Sequence, residues 1–130
     1  MFVLDEIAQE RRELDAAEAA WLTKVAAYDR SGEWRADEFY NCASALRHAC
    51  RMDHGVARGH VELARKLEHL PVVLEAFGRG DLSARHATVV ANAYTPERAA
   101  DIGRGATELV EAAMKRTPKE LGGIVRYGTG

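Results

Sequence analysis

No stretch of apolar residues in this chain approaches the roughly 18 that a membrane-spanning helix needs, so no membrane partner is expected. Runs of β-branched residues are scarce too. The longest, Thr88-Val89-Val90, sits inside a helical pattern, which leaves little from which to build a sheet. The N-terminus, Met1-Phe2-Val3-Leu4-Asp5-Glu6, has no basic leader and turns acidic at once. It does not read as a secretion signal, and the default compartment is the cytoplasm. There are only two cysteines, Cys42 and Cys50. In one predicted helix they stand roughly 12 Å apart along the axis, beyond the about 7 Å between Cα atoms that a disulfide tolerates. Both are read as small buried thiols.

What is present is an ordinary globular mixture over 130 residues, 47% apolar and 29% charged, enough for one domain with a core that needs neither disulfide nor metal. The net charge of −2 hides an asymmetry. Residues 1–40 hold ten acids against five Lys/Arg, whereas residues 41–66 hold five Lys/Arg against two acids, together with three of the five histidines. The basic excess is therefore local.

Alanine- and leucine-rich periodicity predicts an all-α, compact bundle of about six or seven helices, with a long first helix and helix-turn-helix-like corners. The first helix spans about Leu4 to Asp29. Leu14, Ala17, Trp21, Val25 and Tyr28 form its inner stripe, extended by Leu4 and Ile7, and Glu10, Arg11, Glu13, Asp15 and Glu18 form a solvated face. Ser31-Gly32 ends it, and Trp34 pins the following loop. A second helix runs from about Glu38 to Cys50 behind an Asp37 cap, with Phe39, Cys42, Ala43, Leu46, Ala49 and Cys50 inward. After the break Arg51-Met52-Asp53, a third helix capped by Asp53 reaches about His69, with Val56, His60, Leu63 and Leu67 inward. Pro71 opens a short fourth helix around Leu74 and Phe77, closed by Gly78-Arg79-Gly80. Ser83 caps a fifth helix to about Ala93. Thr95-Pro96 starts a sixth, with Ile102, Ala106, Leu109, Val110 and Ala113 inward. Thr117-Pro118-Lys119-Glu120 is a capping box that opens a seventh through Leu121, Ile124 and Val125. So strong a start before so short a helix suggests the N-terminal part of a longer protein. Met52-Asp53 with Ala57 is echoed by Leu82-Ser83 with Ala87, which reads as two corners built by the same capping chemistry.

Several of these segments occur in a characteristic order: Leu14-Asp15-Ala16-Ala17-Glu18-Ala19 leading to Tyr28-Asp29-Arg30-Ser31-Gly32-Glu33-Trp34; Ala49-Cys50-Arg51-Met52-Asp53; Ala64-Arg65-Lys66-Leu67-Glu68-His69-Leu70-Pro71; and Ala76-Phe77-Gly78-Arg79-Gly80-Asp81-Leu82-Ser83-Ala84-Arg85-His86-Ala87. Taken together they resemble the bacterial domain of unknown function 222. Thr117-Pro118-Lys119-Glu120-Leu121 also looks like its pattern. The resemblance covers most of the chain. It implies association with DNA-processing proteins, usually as the part ahead of an HNH endonuclease domain, and it brings no catalytic or binding residues. Arg51 replaces the usual glycine between helices two and three, and Asp53 the usual serine cap, which argues against a standard tight turn.

An HNH centre needs a general-base histidine, an orienting asparagine and a metal-binding histidine on a ββα unit. The only asparagines, Asn41 and Asn92, fall in helical patterns. No nucleophile, base and orienting group fall together, so no catalytic site is expected. His48, Cys50, His54 and His60 lie close, with Cys42 nearby. However, His48-x-Cys50 is a poor ligand pair, because residues two apart point to different sides of a helix. Neither metal nor cofactor is expected. The remaining signal is basic. Arg47, Arg51, Arg58, Arg65 and Lys66 fall on or beside the third helix of a helix–turn–helix, the scaffold that carries arginines to phosphates and guanine edges. Arg79 and Arg85, around the second corner, extend the same surface. Glu62 interrupts the stripe, within reach of Lys66. The residues alone favour an ordinary solvated face, since a pI near 6 lacks the basic footprint of a nucleic-acid binder; the DNA-processing setting that the resemblance implies is what makes DNA the expected partner. The alternative is a homodimer or partner protein engaged through the long first helix.

Overall fold

The computed structural model describes residues 3–93, 95, 97–98 and 105–127. They form eight helices: α1 (Val3–Ser31), α2 (Glu33–Ala36), α3 (Cys42–Ala49), α4 (His54–Leu67), α5 (Pro71–Gly78), α6 (Ala84–Ala93), α7 (Ala106–Met114) and α8 (Pro118–Tyr127). No strand occurs among the described residues. The helix beyond the expected six or seven is α2, a single turn around Trp34. Parts of the expected sixth helix, Pro96 and Ile102 among them, lie outside the described residues.

The α1 helix lies along α4 and α5; α3 packs on α4, α6 on α8, and α7 on α5. Phe77, Leu22, Leu67, Leu82, Leu121, Val73, Val90 and Cys42 are the largest fully buried side chains, drawn from six helices and the α5–α6 turn. The α1 face that meets this core shares Val25 with the expected stripe but is turned away from Leu14 and Ala17. Asp15, Ala19, Leu22, Val25 and Ala26 are buried, while Leu14 and Ala17 face solvent and Trp21 and Tyr28 sit at the edge. The alanines at 19 and 26 let neighbouring helices come close, and the buried Asp15 accepts from Arg11 at 2.9 Å. Every residue from Val3 to Leu14 is exposed, so the N-terminal turns of α1 project past the core.

One glycine pins that helix. Gly80 has φ +79, and a Cβ there would stand 2.5 Å from the Arg12 carbonyl oxygen. The α5–α6 turn therefore lies directly on the α1 backbone, and Arg12 donates to Asp81 at 2.7 Å beside it. Two capping boxes set the far side. Thr117 Oγ1 accepts from the Glu120 amide while Glu120 accepts from the Thr117 amide, at 3.2 and 2.9 Å. Hydrogen bonds to the Glu120 carboxyl from Thr117, its backbone amide first and its side chain second, hold that carboxyl below its ordinary value. Ser83 and His86 repeat the device, with imidazole replacing carboxylate: Ser83 Oγ accepts from the His86 amide and His86 Nδ1 from the Ser83 amide, both at 3.2 Å. The His86 Nε2 meets the Arg116 carbonyl oxygen at 2.7 Å. The cap of α6 is thus tied to the start of α8.

Candidate nucleic-acid interface

The α3–α4 corner begins with a reversal. Glu38 adopts φ +68, and the Phe39 amide donates back to the Trp34 carbonyl at 2.8 Å. Phe39 is half-buried and meets the exposed His48 ring at 5.6 Å, while Tyr40 is exposed. The expected Asp37 cap is spent elsewhere, because Tyr28 donates its hydroxyl to that carboxylate at 2.6 Å. The bond to Asp37 is the main reason that the Tyr28 phenol is pushed up to about 12. The helix begins instead at Asn41, whose Oδ1 accepts from the Ser44 amide at 2.8 Å. Asn41 is thus a cap and not an interior helical residue. Cys42, Ala43 and Leu46 are buried as expected, but Ala49 and Cys50 are exposed. The two thiols therefore differ. Burial, reinforced by Asp29 and opposed by Arg65, pushes the Cys42 thiol up to about 11, whereas Cys50 stands free on the surface.

The turn Cys50-Arg51-Met52-Asp53 holds a left-handed residue that is not glycine: Arg51 has φ +54. Asp53 is the N-cap of α4 but makes no side-chain capping bond, unlike Ser83 at the second corner. From Arg47 to Gly59 only Met52 and Ala57 turn inward. Val56, expected in the core, is 51% exposed; Ala57, Val61 and Ala64 carry the inner face with Leu63 and Leu67. His60 sits half-buried, edge-on to Trp21 at 5.0 Å. Gly55 and Gly59 have nothing within 4 Å of where a Cβ would stand, so they leave a bare strip on α4 beside the exposed His54, Val56 and Arg58.

The five basic residues divide. Arg47, Arg51 and Arg58 are exposed at the corner. Arg58 has one long contact, to Glu62 at 3.7 Å. Arg65 is engaged by Asp29, donating through Nε and Nη2 at 2.7 and 2.9 Å. This bidentate pair raises its guanidinium above the ordinary value, with burial opposing. Lys66 follows Arg65 by one residue and so points roughly 100° around the helix. A 310 Å³ cleft lies between α3 and α4, lined by Asn41, Ala43, His54, Arg58, Val61, Glu62 and Arg65. Sequence spacing gives no hint of two features: Asp29 as the partner of Arg65, 36 positions away, and the 88% exposure of Tyr40. Among the described residues, no three His, Cys, Asp or Glu side chains are grouped to hold a metal ion. No helix among them is long and apolar enough to cross a membrane.

These features define an all-helical domain with an exposed basic helix–turn–helix corner. The sequence pattern described as "Domain of unknown function (DUF222)" matches residues 2–127, and the chain belongs to this family. No curated protein and no solved structure matches it.

Proposed function

We propose that the chain is a non-catalytic helical module of a DNA-processing protein, and that its α3–α4 corner meets DNA. The observation that carries this reading is the exposed run from Arg47 to Gly59, which holds Arg47, Arg51 and Arg58 on a helix–turn–helix. Such a corner can bring the first turns of its second helix to a groove. Arg51 adds weight, because a non-glycine residue at positive φ costs about 1–3 kcal/mol and such strain gathers at functional sites. The DNA-processing setting is what the family resemblance implies. In a gel-shift titration, duplex DNA binding should weaken steeply with salt, and Arg51→Glu with Arg58→Glu should abolish it. No binding at low salt would sink the proposal.

The exposed N-terminal turns of α1 favour a second reading, self-association or a protein partner. Val3, Leu4, Ile7 and Leu14 are 55%, 76%, 57% and 58% exposed. Leu4, Ile7 and Leu14 fall along one side of the helix. Light scattering decides: a strict monomer at every concentration counts against self-association.

A further inference from the structure

Among the described residues eight large apolar side chains are exposed, and four of them, Val3, Leu4, Ile7 and Leu14, lie on the N-terminal turns of α1. Helical spacing places these four within an arc of roughly 100°. Glu6, Glu10 and Glu13 recur at spacings of four and three, so they form an acidic flank beside that stripe. Both arginines of the segment are engaged within the chain, Arg11 by Asp15 and Arg12 by Asp81. Among the described residues no ion pair involves Asp5, Glu6, Glu10 or Glu13. The projecting turns thus present an apolar stripe with an uncompensated acidic edge.

The α3–α4 corner presents the complement. Arg47 and Arg51 are exposed and, among the described residues, form no ion pair. Arg58 has only the long contact to Glu62 at 3.7 Å. Val56 is an exposed apolar residue in the same helix. Val56 and Arg58 fall on opposite sides of the bare strip at Gly55 and Gly59. A second helix can therefore lie close to α4 there, its apolar stripe towards Val56 and its acids towards the arginines.

We infer that the N-terminal turns of α1 dock on the α3–α4 corner of a second copy of this chain. Charge selects this occupant. Residues 3–14 hold four acids against two arginines, and residues 47–59 hold three arginines against one acid. Two N-terminal segments side by side would set like charges together, whereas segment on corner sets opposite charges together. The segment is about 18 Å long, so the contact falls in the small, weak class of interfaces, below about 1,200 Å². This inference rests on the self-association reading above and gives it a receiving surface. It also bears on the DNA reading, because a docked segment would compete with a duplex for the same arginines.

The test is sedimentation equilibrium of the full chain at low salt, without DNA. Wild type should associate as concentration rises, and added salt should weaken the association. Glu6→Lys with Glu10→Lys, and separately Arg51→Glu with Arg58→Glu, should each weaken it by about 10- to 100-fold. An equimolar mixture of the two variants should associate again, because both segment–corner pairings then join opposite charges. All four positions are exposed, so the circular dichroism spectra of the variants should match that of wild type. A mixture that stays monomeric would overturn the inference. Wild-type association that survives reversal of the corner would overturn it too, and would leave self-association standing through another surface. A strict monomer at every concentration would remove both readings and leave the DNA reading untouched.

Discussion

Replacing Gly80 by alanine challenges the contact that seats the long first helix. Two costs add. Alanine at φ +79 sits in the left-handed region, at about 1–2 kcal/mol. Its Cβ would also stand 2.5 Å from the Arg12 carbonyl oxygen, a backbone atom that cannot swing aside. The α5–α6 turn must therefore lift off α1 and strain the Arg12–Asp81 bond at 2.7 Å. The sum is about 2–4 kcal/mol, a fall in Tm of about 8–16 °C for a chain of this size. Gly32→Ala is the control: Gly32 has φ +71 but nothing within 4 Å of its Cβ position, so it carries the conformational cost alone. Urea unfolding followed by far-ultraviolet circular dichroism measures both. Equal losses for the two variants would refute the close approach of Gly80 to α1.

Arg51→Gly should stabilise the fold by about 0.5–1 kcal/mol, as relief of left-handed strain outweighs the added freedom of the unfolded chain, while weakening duplex binding; a loss of stability in urea would show that the turn is unstrained. Glu120, held below its ordinary 4.5 by Thr117, contributes stability that is present above that value and lost as pH falls through the lower folded one. Thermal unfolding of Glu120→Gln should therefore lack this acid-side loss, and an unchanged pH profile would contradict the capping box. A maleimide should label exposed Cys50 at once and buried Cys42, its thiol pushed up to about 11, only on unfolding; simultaneous labelling would place Cys42 at the surface. Asp29→Asn should cost about 1 kcal/mol, the upper end for a half-exposed ion pair, and should tighten duplex binding by releasing Arg65; unchanged affinity would remove Arg65 from the interface.

Features written in neighbouring residues were legible in the sequence. Ser31-Gly32 ends α1, Pro71 opens α5, Ser83 caps α6 and Thr117 with Glu120 opens α8, each because the capping chemistry is complete within four residues. The family order was legible for the same reason. What failed depended on distant partners. Periodicity alone could not choose between the Leu14–Trp21 stripe and the Asp15–Leu22 stripe of α1, because the side on which α4 and α5 lie decides it. Asp37 looked like a cap until Tyr28 claimed it, and Arg65 looked free until Asp29 did. The basic corner was visible as a charge excess, but its division into three exposed arginines, one engaged arginine and a lysine on another side is a property of the fold.

The most direct test of the α3–α4 corner as a DNA-contacting surface is the salt dependence of duplex binding. If Arg47, Arg51 and Arg58 each displace one phosphate counterion, the logarithm of affinity should fall against the logarithm of salt concentration with a slope of about −3, and Arg51→Glu with Arg58→Glu should remove both binding and slope. Affinity that is absent at low salt, or that survives the double charge reversal with its slope intact, would contradict the account.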